Sequence, residues 1–180
     1  MADDELLHPV LRNRFSPLRF DAGHTVRDRE VALLLEAARW APSAGNSQPW
    51  AFFLARRGTP EHDLVVGHLA ASARRWAPDA ALLVVNLVHR QVEGTDWPYS
   101  EFADYDVGQA VAHMTLQAHA LGLACRQFRA FDLEALTRSL DVQDGWAVLT
   151  ITAIGRSDAN APATRDRRDL ASLVAEGRAQ

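Results

Sequence analysis

The stretch from Trp40 to Trp50 constrains this chain more than any other part of its sequence. It follows an apolar pattern with helical spacing and precedes an apolar run that is typical of a strand. Pro42 and Pro49 fix the backbone and remove an N–H donor each, and Gly45 permits a positive φ or a close backbone approach. Short polar side chains lie between them, at Ser43, Asn46, Ser47 and Gln48. Such a loop suits a flat ligand rich in heteroatoms, although a solvated connector has a similar composition.

Residues 41–50, which read A-P-S-A-G-N-S-Q-P-W, closely resemble the signature loop of the FMN-dependent nitroreductase family. Shorter matches occur in the family's order at Arg14-Phe15-Ser16-Pro17, at residues 105–110 (Y-D-V-G-Q-A), at residues 120–123 (A-L-G-L) and in an Arg-rich tail. The resemblance implies an α+β fold, in which a central mixed or antiparallel sheet lies between helices as a three-layer α-β-α sandwich. It also implies an intertwined homodimer with the flavin sites at the interface.

The resemblance further implies an enzyme that passes electrons from NAD(P)H through bound FMN to a nitroaromatic, a quinone or a similar planar acceptor. Hydride donor and acceptor use the same flavin face in turn, in a ping-pong scheme, so no side chain need be catalytic. Two alternatives stay open. The chain could bind or sequester flavin without turnover, or it could be a flavin enzyme of the same fold with another chemistry, such as dehalogenation or oxidative cleavage.

The residues that the resemblance assigns to FMN binding come from both ends and the middle of the chain. They are Arg14, Phe15, Ser16, Pro42, Ser43, Asn46, Gln48, Gln127, Arg165 and Arg167. Asn46 and Gln48 offer both donors and acceptors for the edge of the flavin ring, while Arg165 and Arg167 would hold the phosphate. The family commonly has a basic residue where this chain has Leu18, and the neighbouring Arg19 would face the other way in an extended segment.

Composition excludes several other classes of function. The 180 residues predict one domain, 1–180, and the net charge of −4 gives no reason to expect a nucleic-acid partner. The chain has no Lys, which excludes a Lys nucleophile. Cys125 is the only cysteine, so a disulfide within the chain is impossible, and a small buried hydrophobe is the favoured interpretation. The His residues have no ligand spacing, and we expect no metal site.

The sequence shows no recognisable targeting signal, and we therefore expect a cytoplasmic protein. The N-terminus is acidic and lacks the basic and apolar regions of a signal peptide. The longest apolar run, at residues 80–88, is too short to span a bilayer as a helix, so we expect no membrane partner.

Periodicity predicts helices and strands that are mixed along the chain rather than strictly alternating, which points to a sheet between helices. Strands are expected at residues 51–55, 80–88, 124–128 and 146–154, and helices at residues 5–14, 61–76, 103–121 and 132–140. A further helix should begin with a capping box at residues 25–28 and end before Pro42. The helix at 103–121 is apolar on more than one side, which indicates deep burial or a subunit interface.

Two further segments each have two possible interpretations. Residues 90–99 are expected to form a loop, in which Trp97 and Tyr99 either wall a substrate pocket or pack onto the body of the protein. The apolar residues of the tail, Leu170, Leu173 and Val174, are expected to dock on the chain itself or on a neighbour.

Overall fold

Four strands form one antiparallel sheet in the order β1-β2-β4-β3. A computed structural model describes residues 6–157 and 165–175 of the chain. The strands are β1 (Trp50–Arg56), β2 (Leu82–His89), β3 (Ala124–Phe128) and β4 (Trp146–Gly155). The helices are α1 (Pro9–Asn13), α2 (Asp28–Arg39), α3 (Pro60–Gly67), α4 (Ala71–Arg74), α5 (Ala103–Ala120) and α6 (Leu133–Ser139).

Strand β2 shows why the sheet needs helices on both faces. Its side chains point alternately to the two faces. Leu82 and Val84 pack in the cluster that includes α2 and α5, whereas Leu83 and Val85 pack in the cluster that includes α3, α4 and α6. Because apolar side chains leave both faces, the predicted three-layer α-β-α sandwich is confirmed, and the sheet is antiparallel rather than mixed.

The helix predicted over residues 61–76 is wrong as one element. The structure divides it into α3 and α4, with Leu69 and Ala70 between them. Leu69 forms a bridge with Phe131, and Ala70 N donates to Ala130 O at 2.9 Å. These backbone groups therefore bond to the segment after β3 instead of continuing a helix, while Leu69 stays buried as its spacing predicted.

Helix starts differ from the predicted ones by a few residues. The capping box of α2 pairs Arg27 with Glu30 rather than Thr25 with Asp28, and Arg27 N donates to Glu30 Oε2 at 2.8 Å. Helix α1 begins only at Pro9, with His8 as its N-cap. A proline at the first helical position loses no helical hydrogen bond, and residue 5, where this helix was expected to start, lies outside the described residues.

The remaining predicted elements agree with the structure. Helix α5 runs the expected length, and Gly122 follows it with φ +75°. The strand at 124–128 has the predicted bounds, and Asp132 caps α6 by accepting from Ala135 N at 3.0 Å. In the two described ranges, no helix has both the length and the apolar character needed to cross a membrane.

The polar segment at 90–99 is a loop, as predicted, and Gly145 anchors one end of it. The carbonyl of Gly145 accepts from Arg90 N at 2.8 Å and from Gln91 N at 3.2 Å. Gly145 has φ +81°, and a Cβ atom there would overlap the carbonyl oxygen of Gln91. The close approach of the two backbones thus requires glycine.

We expect Gly145→Ala to lower the free energy of unfolding by about 2 kcal/mol or more, because it combines a left-handed backbone with a backbone clash. Urea denaturation measures this. Gly67→Ala is the matched control: Gly67 ends a helix, and a Cβ there meets nothing within 4 Å, so that variant should be neutral or slightly stabilised. Equal stability of the two variants would contradict the assigned role of Gly145.

Candidate functional site

The loop between α2 and β1 holds an unusual backbone conformation. Ser43 precedes a short 3₁₀ turn at Ala44–Asn46, and Ser43 Oγ accepts from Gln48 N at 3.0 Å. Gly45, Asn46 and Gln48 have φ of +58°, +56° and +47°. A left-handed conformation costs a residue with a side chain about 1–2 kcal/mol. Such strain persists only where surrounding contacts fix it, and it clusters at functional sites.

Asp106 on α5 supplies the main contact that fixes this loop. Its carboxylate is only 2% exposed, and Oδ2 accepts from Ala44 N at 3.0 Å. Gln109 Nε2 donates to Asp106 Oδ1 at 3.3 Å and approaches Pro42 O at 3.5 Å. Asp106 lies in the first turn of α5, where a carboxylate is favoured by the helix dipole alone, so its contact with a loop residue 62 positions away was missed. The signal available was a carboxylate within the Y-D-V-G-Q-A match.

Tyr99 connects the 90–99 loop to the signature loop between α2 and β1. Its hydroxyl donates to Ser47 O at 2.9 Å. Its ring stacks on His89 with centroids 3.9 Å apart, and His89 in turn stacks on Trp146 at 4.6 Å. Tyr99 therefore packs onto the body of the protein, whereas Trp97 is 77% exposed. The two aromatic residues, which the sequence treated alike, have different environments.

The side chains of Asn46 and Gln48 point outward. Both residues are exposed, and Gln48 Nε2 donates to Asn46 Oδ1 at 3.2 Å. Their amides keep further donors and acceptors for a ligand. Pro42 is also exposed, while Ser43 is half-buried.

A second group of predicted residues lines a cavity of about 440 Å³ beside α5. Arg14, Ser16 and Gln127 converge there, although they are far apart in sequence. The remaining lining residues are Leu11, Gly108, Val111, Ala112, Thr115 and Leu116. Phe15, between Arg14 and Ser16, is half-buried and does not line this cavity. The cavity combines a cation, a hydroxyl and an amide with apolar walls, which is the usual chemistry of a small-molecule site.

Arg165 of the tail joins this region. Its Nη2 donates to Asn13 O at 3.1 Å, one residue before Arg14. The pKa of His119 is lowered by burial and then by the charges of Arg14 and Arg165. Basic residues from the two ends of the chain therefore meet at one place.

Three expectations near these arginines have different outcomes. Arg167 is exposed, and its Nη1 donates to the carbonyl of the adjacent Asp166 at 2.7 Å. The structure therefore does not bring Arg167 to Asn13, the residue that Arg165 bonds. Leu18 is 74% exposed and Arg19 is exposed as well. The apolar tail residues Leu170, Leu173 and Val174 are 67%, 59% and 72% exposed, so docking on the chain's own body is wrong.

The signature loop and the cavity follow one another along α5. The signature loop bonds Asp106 in the first turns of the helix, and the cavity is lined by α5 residues from Gly108 to Leu116. At 1.5 Å per residue, these two residues are about 3 Å and about 15 Å from Asp106 along the axis. Within the described part of the chain, no residue of the signature loop lines the cavity.

In the described part of the chain, the cysteine is buried and no metal-binding cluster is found. Cys125 is 2% exposed, and burial raises the pKa of its thiol to about 12, so it remains protonated as a buried hydrophobe. Across residues 6–157 and 165–175, no three His, Cys, Asp or Glu side chains are grouped to hold a metal ion.

Known proteins resemble this chain in sequence and fold. A sequence profile of the nitroreductase family matches residues 11–65. The 5,6-dimethylbenzimidazole synthase of Rhodospirillum rubrum is 31% identical over 184 aligned positions, covering 86% of this chain and 87% of that protein. The major NAD(P)H-flavin oxidoreductase of Aliivibrio fischeri is 38% identical over 52 positions, covering 27% of this chain and 24% of that protein.

Solved structures agree with these matches. An FMN-containing oxidoreductase has a TM-score of 0.86 and 28% identity, and the match covers 96% of this chain and 92% of that one. A protein assigned as a nitroreductase, in complex with FMN, from Desulfovibrio desulfuricans has a TM-score of 0.79 and 29% identity, covering 96% and 99%. The fold is that of the FMN-containing oxidoreductase and of the nitroreductase in complex with FMN. The chain belongs to the nitroreductase family.

We expect Asp106→Ala to release the signature loop. Removing the acceptor leaves Ala44 N–H unpaired, which costs about 1–3 kcal/mol, so amide hydrogen exchange at residues 44–46 should accelerate at least about tenfold. Asp106→Asn keeps one acceptor oxygen and should have an intermediate effect. Glu101→Ala removes an exposed carboxylate nearby and is the control. Unchanged exchange in Asp106→Ala, measured by mass spectrometry, would refute the assigned contact.

Proposed function

We propose that this protein is an FMN-dependent oxidoreductase that passes electrons from NAD(P)H to a nitroaromatic, a quinone or a similar planar acceptor. The observation that carries the proposal is the convergence of Arg14, Ser16 and Gln127 on one cavity beside α5. Support comes from the FMN-containing relatives and from the NAD(P)H-flavin oxidoreductase that matches part of the chain. Residues 1–180 would form one FMN-binding domain.

The donor set fits FMN. The flavin ring carries several acceptors and one N–H, and its phosphate is a dianion. Arg14 supplies a permanent cation, Ser16 and Gln127 supply neutral bonds, and Arg165 adds a second cation within the same region. A guanidinium fork matches phosphate geometry better than an ammonium group would. The absence of Lys from the chain is therefore no obstacle to phosphate binding.

When bound, FMN supplies the redox chemistry by accepting a hydride and passing electrons on. The residues of this chain bind and orient it. A cation such as Arg14 beside the ring would favour the reduced state, which carries more negative charge. Asn46 and Gln48 would bond the ring edge from the signature loop, and Arg167 with Arg165 would close on the phosphate.

We propose that a second copy of the chain completes the site. The cavity lies along α5 from Gly108 to Leu116, and none of the described residues of the signature loop line it, so one flavin between two copies would contact the loop of one and the cavity of the other. An open apolar groove of about 600 Å³ lies beside these elements, formed by α1, α2 and α5. Leu11, Leu33 and Trp40 line it and are 46%, 37% and 71% exposed. Large exposed apolar surfaces of this kind mark association sites. The exposed tail residues Leu170, Leu173 and Val174 would dock on the second copy.

A second candidate function keeps the flavin but changes the reaction. The R. rubrum relative is named 5,6-dimethylbenzimidazole synthase, a different chemistry from nitro or quinone reduction. Oxidative cleavage of bound flavin would consume FMN in the presence of oxygen, whereas a reductase returns it intact. Sequestration without turnover, which Leu18 in place of a basic residue keeps open, is the remaining alternative.

Purified protein supplied with FMN should be yellow, and anaerobic NADH or NADPH should bleach the absorbance near the visible flavin maximum. Menadione or a nitroaromatic should then restore it, since the flavin is regenerated by the acceptor. Flavin that stays bound but is never bleached would indicate sequestration without turnover. Flavin that is lost on aeration with formation of a benzimidazole would establish the second candidate. A colourless protein at millimolar FMN would exclude all three.

We expect Arg14→Ala to weaken FMN binding at least about tenfold, because a hydrogen bond to a charged group contributes about 1.5–3 kcal/mol. Arg19→Ala removes the same charge from an exposed position outside the cavity and is the matched control. Quenching of flavin fluorescence gives both dissociation constants. An equal loss in the two variants would mean that Arg19 does the work assigned to Arg14.

A further inference from the structure

The amide of Gln127 has a fixed direction in the structure. Gln127 lies on β3 and lines the cavity with Arg14 and Ser16. Its Nε2 donates to Thr115 Oγ1 on α5 at 2.7 Å. An amide has a donor end and an acceptor end. Which end faces the cavity therefore depends on whether Thr115 donates to Gln127 or accepts from it.

Thr115 can only accept from Gln127. Its Oγ1 donates to Val111 O, one helical turn earlier, at 2.8 Å. A hydroxyl has one proton and a carbonyl only accepts, so that proton is committed to Val111. Thr115 is 8% exposed, which keeps water from replacing either bond. Gln127 must therefore turn its NH₂ toward Thr115 and its Oε1 away, toward the cavity.

The neighbouring thiol does not disturb this arrangement. Burial raises the pKa of the Cys125 thiol to about 12 against a smaller lowering by Thr115, so the sulfur keeps its proton. A protonated thiol is a weak donor and a weak acceptor. It therefore does not draw the Thr115 proton away from the Val111 carbonyl.

We propose that Thr115 is a positioning residue that holds Gln127 as a hydrogen-bond acceptor, and that the cavity consequently takes a donor edge of the flavin. The inference rests on the proposed function, in which flavin occupies this cavity. FMN has two kinds of donor, the ring N3–H and the ribityl hydroxyls. Arg14 beside Gln127 offers only donors, so the cavity presents a donor and an acceptor side by side. A ligand edge that offers only acceptors would leave Oε1 unpaired at a cost of about 1–3 kcal/mol.

Dissociation constants for FMN test the chain of contacts. Thr115→Val keeps the shape but removes the oxygen and should weaken binding about tenfold, the effect of one ordinary hydrogen bond with its partner left free. Thr115→Ser should stay within about twofold of the unmodified protein. Thr137→Val, on α6 in the opposite layer, is the control for a lost threonine hydroxyl.

A double-mutant cycle separates positioning from general support of the fold. Gln127→Met removes the amide, so adding Thr115→Val to it should weaken FMN binding by less than about twofold. The same tenfold loss in both backgrounds would overturn the proposal, because Thr115 would then act without Gln127. Melting temperatures of all variants identify any that are simply unfolded.

Two flavin analogues identify the donor. If N3–H meets Oε1, methylation at N3 should weaken binding to the unmodified protein but not to Gln127→Met. If a ribityl hydroxyl bonds Oε1, lumiflavin, which lacks the ribityl chain, should bind both proteins equally. N3-methyl FMN should then bind each protein as tightly as FMN does. Either result supports the proposal. A Gln127→Met loss that persists with both analogues would overturn it.

A measurement without flavin distinguishes failure of this inference from failure of the proposed function. In the flavin-free protein, the side-chain NH₂ of Gln127 should show a nuclear Overhauser effect to Thr115 and slow exchange, both lost in Thr115→Val. Protection together with no FMN binding would refute the proposed function and leave the positioning role standing. An unprotected NH₂ in a protein that binds FMN would refute the positioning role alone.

Discussion

The buried carboxylate of Asp106 is the contact on which the candidate site depends. The signature loop holds Asn46 and Gln48 in left-handed conformations, which together cost about 2–4 kcal/mol, and its exposed polar side chains contribute little burial. A hydrogen bond to a charged acceptor contributes about 1.5–3 kcal/mol. The bond from Ala44 N to Asp106 is therefore large enough to offset most of this strain. The bonds from Gln48 N to Ser43 Oγ and from the Tyr99 hydroxyl to Ser47 O fix the rest of the loop.

Helix α5 joins the parts of the molecule that matter for function. Its first turns hold the signature loop, its middle lines the cavity, and its apolar stripe packs on the sheet, with Val107, Ala110 and Met114 fully buried. Near its last turn, the pKa of His119 is lowered by burial and by arginines from both ends of the chain. The second apolar side recognised in the sequence contributes the exposed groove beside α1 and α2.

Local sequence patterns predicted the elements whose own residues determine them. Strand β3, helix α5 and the Asp132 cap of α6 follow from periodicity and capping alone. The errors arose where distant backbone groups compete. Leu69 and Ala70 leave the helical path because residues 130 and 131 bond them. The role of Asp106 was missed for the same reason, since its partner is 62 residues away. The candidate binding residues were predicted only through the family resemblance, because spacing does not show which side chains share a cavity.

The hydroxyl of Tyr99 has a consequence for how such a protein diversifies. Tyr99 belongs to the loop at 90–99, yet it bonds Ser47 within the signature loop, and its ring is one layer of a stack with His89 and Trp146. A substitution in the 90–99 loop that displaces Tyr99 would therefore also remove a contact of the signature loop. The two loops cannot change independently at this point, and a substitution accepted in one restricts those accepted in the other.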